Sequence, residues 1–134
     1  MYQPKPYILL IDDDEDDLEM FSFELKKKGI SIKTFDSPTK ALCYLTFMSD
    51  IRDLPSLIIM DYNMPKRNGH QVLREIKDNK SIKDIPVVMY STSISEVLKT
   101  QLLAAGALDC FDKPWTQHEL NCHVEKFQEL AFAL

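Results

Sequence analysis

Three short runs of consecutive apolar residues, YILLI at 7–11, LIIM at 57–60 and PVVMY at 86–90, constrain this chain more than any other feature. A strand with one wet face alternates apolar and polar residues. An uninterrupted apolar run of this length suits a strand covered on both faces, as in a parallel sheet. Parallel neighbours need a crossover, and the segments between the runs carry helical periodicity. After the first run, Leu18, Phe21 and Leu25 share one side of a helix that opens with acids and closes with Lys26, Lys27, Lys28 and Gly29, the charge order a helix dipole favours. Ile30 to Phe35 reads as a strand, and Ser37-Pro38 opens a helix to about Ser49 with Ala41, Leu42 and Leu45 as its stripe. The run at 57–60 ends at Asp61, a loop spans Asn63 to Gly69, and Val72, Leu73 and Ile76 mark a third helix. The run at 86–90 ends at Ser91; Ser95 to Ala105 is a helix stopped by Gly106, Ala107 to Phe111 a short strand, and Thr116 to about Leu130 a last helix with Leu120, Val124 and Phe127 inward.

Five strands alternating with five helices predict an α/β fold, a single doubly wound parallel sheet with helices on both faces. Right-handed crossovers leave few strand orders, of which 2-1-3-4-5 is the expectation here. A length of 134 residues suits one domain, so residues 1–134 are expected to form a single unit without a linker or repeat.

The net charge of −5 argues against a nucleic-acid footprint, which needs a basic face. No stretch reaches the roughly 18 apolar residues of a membrane span, and Met1 to Pro6 is too short and polar for a signal peptide, so a cytoplasmic protein is expected. Cys43, Cys110 and Cys122 are odd in number and dispersed, which suits reduced thiols better than a disulfide framework. His118, Cys122 and His123 suggest a metal site at most weakly, because they lack a full ligand set.

In sheets of this kind ligands bind beyond the carboxyl ends of the strands. Asp12 and Asp13 follow the first strand, Asp61 ends the third, Ser91 ends the fourth and Lys113 follows the fifth, so all are expected on one rim. Six consecutive acids, Asp12 to Asp17, crowd the end of the first strand. Two such charges about 5 Å apart repel by roughly 1 kcal/mol in water and about 3 kcal/mol at an effective dielectric of 20. A hard divalent cation such as Mg²⁺ would relieve that repulsion at Asp12, Asp13 and Asp61, using one or two carboxylates directly. A lysine and a hydroxyl facing the acids suit phosphoryl oxygens, and an aspartate can accept a phosphoryl group as an acyl phosphate.

The set IDDD at 11–14, MDYNMPKRNG at 60–69, VVMYSTS at 87–93 and AGALDCFDKPW at 105–115 resembles the receiver domain of two-component response regulators, a flavodoxin-like fold shared with the chemotaxis response regulator. The resemblance covers essentially the whole chain. It implies that Asp61 accepts a phosphoryl group from a sensor histidine kinase or a phosphotransfer protein, that Asp13, Asp61 and the Asn63 carbonyl ligate Mg²⁺, and that Asp12 acts through water. Ser91 takes the switch hydroxyl role and Lys113 the phosphate-binding role. Asp14, Glu15, Asp16 and Asp17 then have no ligand role and start the helix. The peptide bond before Pro114 is often cis in such domains. Output is expected through the face of the fourth helix, fifth strand and fifth helix, with Trp115 at its edge, packed against the last helix or else exposed as a partner anchor; dimerisation on phosphorylation is left open. Asn63 and Ser93 flank the path by which water would reach an acyl phosphate. Such a domain is a phosphoacceptor that catalyses only its own phosphorylation and dephosphorylation, and the expectation here is a stand-alone receiver without an effector domain, the alternative being a receiver excised from a longer protein. Where these domains carry an aromatic switch residue, this chain has Cys110, which cannot sweep the same volume; Phe111 points to the opposite side of its strand.

Rival readings fare worse on the residues. A haloacid-dehalogenase-like phosphatase matches the Asp12-Asp13-Asp14 spacing but not the residues that should follow it. A flavin binder needs a glycine- and hydroxyl-rich phosphate loop where this chain places acids. A phosphorylation-independent interaction module leaves the retained acids, Ser91 and Lys113 without a purpose.

Overall fold

The computed structural model describes residues 6–65 and 67–132. Each of the three apolar runs is a strand buried along its whole length: β1 (Tyr7–Ile11), β3 (Leu57–Asp61) and β4 (Val87–Ser91). They form the centre of a five-stranded sheet in the order β2-β1-β3-β4-β5, parallel throughout, with β2 (Ser31–Phe35) and β5 (Asp109–Asp112) at its edges. The crossovers are α1 (Glu15–Lys27), α2 (Pro38–Asp50), α3 (Gly69–Asp78) and α4 (Glu96–Ala104), and α5 (Gln117–Phe132) closes the fold. None of the described helices is long and apolar enough to cross a membrane.

Alternation along each strand divides the core in two. Leu9, Ile11, Ile58, Met60, Val87, Met89 and Cys110 pack with α2, α3 and α4 through Ala41, Leu45, Val72, Leu73, Ile76 and Leu102. Ile8, Leu10, Ile59, Val88 and Tyr90 pack with α1 and α5 through Leu18, Phe21, Leu25, Leu120, Val124 and Phe127. Two-sided burial is what makes the central strands read as continuous apolar segments.

Local signals set the helix starts. Asp14, Ser37 and Ser95 accept backbone N–H groups as caps of α1, α2 and α4, and Asn68 with Gln71 forms a reciprocal capping box at α3. Gly69 is required by close approach: a Cβ there would lie 2.9 Å from the Tyr62 Cα, and its amide donates to the Tyr62 carbonyl at 2.8 Å. The β3–α3 loop is thereby folded against the top of the sheet. Gly106, at φ 113°, turns the chain from α4 towards β5, a backbone geometry that glycine adopts without a side-chain clash.

The fifth strand differs from expectation, running from Asp109 to Asp112 rather than from Ala107. Ala107 is instead tied to the end of α4 by its amide bond to the Leu102 carbonyl at 3.0 Å, and the Leu108 amide leads into the sheet through the Val87 carbonyl at 2.7 Å.

Candidate functional site

The strand register brings the chemistry together. Ile11 pairs with Met60, Asp61 with Tyr90 and Ser91 with Asp112, so residues at or just past each carboxyl end share one rim. Asp12, Asp13 and Asp61 present carboxylate oxygens that all lie within 4.8 Å of one another; among the described residues they are the one group of such side chains placed to hold a cation. Asp12 and Asp61 are buried, while Asp13 is open to solvent and gives a cation a way in.

Asp12 has both oxygens engaged. Oδ1 accepts the Asp14 amide at 2.9 Å, and Oδ2 accepts the Tyr90 hydroxyl. Burial pushes its carboxyl up to about 7, against the pull of these donors and with the Asp61 charge adding to the rise. Asp61 accepts the Asn63 amide at 3.2 Å through Oδ1. Burial raises its pKa too, with the Asp13 charge, although Lys113 and the Asn63 amide oppose the shift. The pocket therefore resists holding all its charges until a cation compensates them.

Lys113 is placed by its own backbone, whose amide donates to the Ser91 carbonyl at 2.7 Å. Its ammonium lies 3.7 Å from Asp61 Oδ2 and 3.8 Å from Asp12 Oδ2, but its hydrogen bond goes to Asp17 Oδ2 at 2.7 Å. Burial alone would lower its pKa; the Asp17 hydrogen bond and the surrounding carboxylates reverse that and raise it. Ser91 is buried and its Oγ accepts the Asn63 side-chain amide at 2.8 Å, which links Asn63 to the hydroxyl.

Every candidate on the rim thus arrives where strand topology puts it. Cys110 does not face the acids: its thiol is buried among the residues packed under α4, and Phe111 lies on the other face against Phe127 and His123. Desolvation raises the thiol pKa.

Other expectations are corrected. Asp17 lies in the first turn of α1 as expected, but it is also the hydrogen-bond partner of Lys113. Tyr90, counted within an apolar run, carries a buried hydroxyl that must find an acceptor and finds Asp12. Among the described residues every peptide bond is trans, including that before Pro114, in keeping with the preference of about 0.5–1 kcal/mol for trans at such bonds. Trp115 is 79% exposed rather than packed on α5, while its backbone amide donates to Glu119 Oε2 at 3.0 Å at the helix start. His118 and Cys122 approach to 3.7 Å, but His123 stacks with Phe111 and Phe127, so the three do not converge on a metal.

Comparison with known proteins gives a consistent picture. The profile of the response regulator receiver domain matches residues 8–125. The two-component response regulator ORR3 of Oryza sativa subsp. indica is 32% identical over 112 residues, covering 84% of this chain and 82% of that protein. The transcriptional regulatory protein CpxR homolog of Haemophilus influenzae is 29% identical over 118 residues, 88% of this chain and 48% of its own length. Among solved structures, the phosphorylated cyanobacterial phytochrome response regulator RcpA superposes with a TM-score of 0.81 at 28% identity, covering 96% of this chain and 94% of that one. The Mn²⁺-bound form of response regulator Rcp1 also gives 0.81, at 26% identity and 97% coverage of both chains.

Proposed function

Because the chain belongs to the response regulator receiver family, we propose that Asp61 is its phosphoacceptor and that Asp12, Asp13, Asp61 and Asn63 form a Mg²⁺ site serving that acceptor. The observation that carries this reading is the convergence of three carboxylates, Lys113 and Ser91 on one rim, with Asp61 buried at its centre. One Asp61 oxygen attacks the phosphorus of a phosphohistidine; the P–N bond breaks and the imidazole leaves. Hydrolysis restores the acceptor: water attacks the phosphorus of the acyl phosphate, the P–O bond to Asp61 breaks, and inorganic phosphate departs, leaving the Asp61 carboxylate. Phosphoryl transfer asks the protein for positioning and charge compensation, and this chain supplies both. Asp13 and Asp61 would hold a cation, which would neutralise phosphoryl charge when bound. Asp12 already satisfies two protein donors and so contributes charge from behind. Lys113 leaves Asp17 for a phosphoryl oxygen, and Ser91 supplies a hydroxyl to another.

The donor is a sensor histidine kinase or a phosphotransfer protein, the turnover is self-catalysed, and the setting is the cytoplasm. The phosphorylated form acts through α4, β5 and α5, where Val97, Leu103, Leu108 and Trp115 are exposed. Cys110 leaves that face without an aromatic swing, so the shift there rests on Ser91 and its following loop. Incubation with a small-molecule phosphodonor and Mg²⁺, followed by intact mass, tests the reading. One added phosphoryl group, absent in Asp61→Asn and after chelation, is expected; no addition under any condition refutes it.

A further inference from the structure

Tyr90 has no part in the chemistry above, yet it touches two of the groups that do. Its side chain is 1% exposed, its hydroxyl donates to Asp12 Oδ2, and the Lys113 ammonium lies 5.4 Å from the centre of its ring. The ring itself has little freedom. Phe21 packs edge-on against it at 5.3 Å, and Phe21 in turn meets Phe127 at 5.9 Å, so the hydroxyl projects from a close-packed aromatic cluster between α1, α5 and the sheet.

Apart from that hydroxyl, the Lys113 ammonium lies 3.8 Å from Asp12 Oδ2, and its hydrogen bond is committed to Asp17. The Asp14 amide would hold Oδ1 alone, and the carboxylate would be free to pivot about that bond. Groups that hydrogen-bond a ligating or cation-facing carboxylate fix its orientation, and their loss typically weakens metal binding about 10–100-fold.

We propose that Tyr90 is a positioning residue of the cation site, its hydroxyl clamping Asp12 so that this carboxylate backs Asp13 and Asp61 in a fixed orientation, and its ring face guiding Lys113. The proposal rests on the cation-binding reading of the pocket and goes beyond it by placing control of the site on the strand residue directly before Ser91. Sensing of the pocket is thereby joined to the α1–α5 side of the sheet, opposite the side that buries Cys110.

The test is an equilibrium titration of the full chain with Mn²⁺, read from the paramagnetic resonance signal of the free ion, with Mg²⁺ measured by competition. Wild type, Tyr90→Phe, Asp12→Ala and the double variant are compared, each with a melting curve. Tyr90→Phe keeps the ring and its packing, and is expected to weaken Mg²⁺ binding about tenfold. In the Asp12→Ala background the same substitution is expected to change affinity less than about twofold, because the carboxylate that the hydroxyl orients is gone. An unchanged affinity in Tyr90→Phe overturns the proposal. So does an equal loss in both backgrounds, which would mean that Tyr90 acts on the fold and not through Asp12. Absence of cation binding in wild type refutes the pocket reading itself, and the proposal with it; wild-type binding with an unaffected Tyr90→Phe refutes the proposal alone.

Discussion

Asp12→Asn should make the cation-free protein more stable at neutral pH and no more stable in acid. Asp12 has no solvent exposure, and burial lifts its carboxyl from 3.8 to about 7. The folded chain therefore holds this proton over a window where the unfolded chain has released it. Stability from this group is fully present below about pH 4 and is lost as pH rises through about 7, the reverse of an acid with a depressed pKa. Some three pKa units at 1.36 kcal/mol each put the loss at about 4 kcal/mol, shared with Asp61, whose own shift is coupled through the same pocket. Asparagine cannot ionise, and its carbonyl can still accept from Tyr90. Urea denaturation across this pH range, in chelator, gives the comparison. The two proteins should match near pH 4 and separate by about 2–4 kcal/mol near pH 7, with Asp12→Asn the more stable. Mg²⁺ should then raise wild type at neutral pH, by about 2.7 kcal/mol at a hundredfold excess over its dissociation constant. Parallel curves, or a variant less stable than wild type at neutral pH, would refute the idea that the acids are crowded at the expense of stability.

Two further outcomes follow from contacts in the same region. Asp17→Ala removes the 2.7 Å hydrogen bond that draws Lys113 away from Asp61; phosphorylation by a small-molecule donor should accelerate by about two- to tenfold, and a slower rate would show that Asp17 guides the lysine instead of restraining it. Cys110→Tyr puts an aromatic ring into a site 5% exposed and lined by Met89 and Leu102, so chemical denaturation should report a loss of about 1–3 kcal/mol; an unchanged midpoint would reveal room for a swinging ring that the packing denies.

The architecture was readable because its signals are redundant. Continuous apolar runs named β1, β3 and β4, stripes such as Leu18, Phe21 and Leu25 named the helices, and parallel topology then sent Asp12, Asp61, Ser91 and Lys113 to one rim. What escaped had a sufficient local explanation already. Asp17 suits a helix start so well that its reach to Lys113, across the fold, left no separate trace. Tyr90 completes an apolar run, and only its hydroxyl, one atom in a buried side chain, belongs to the site. Asn63 was expected to offer its carbonyl, yet its side chain also binds Ser91, a pairing that depends on how the β3–α3 loop folds under Gly69. Trp115 is large and apolar, which favours burial on average, but it stands exposed just before α5.

The most direct test of the phosphoacceptor assignment is chemical trapping at residue resolution. An acyl phosphate is reduced by borohydride, which converts the phosphorylated aspartate to homoserine and leaves other carboxylates intact. After phosphodonor and Mg²⁺ treatment, peptide mapping by mass spectrometry should find homoserine at position 61 alone. Trapping at Asp12 or Asp13, or at no residue despite a gain in intact mass, would contradict the account.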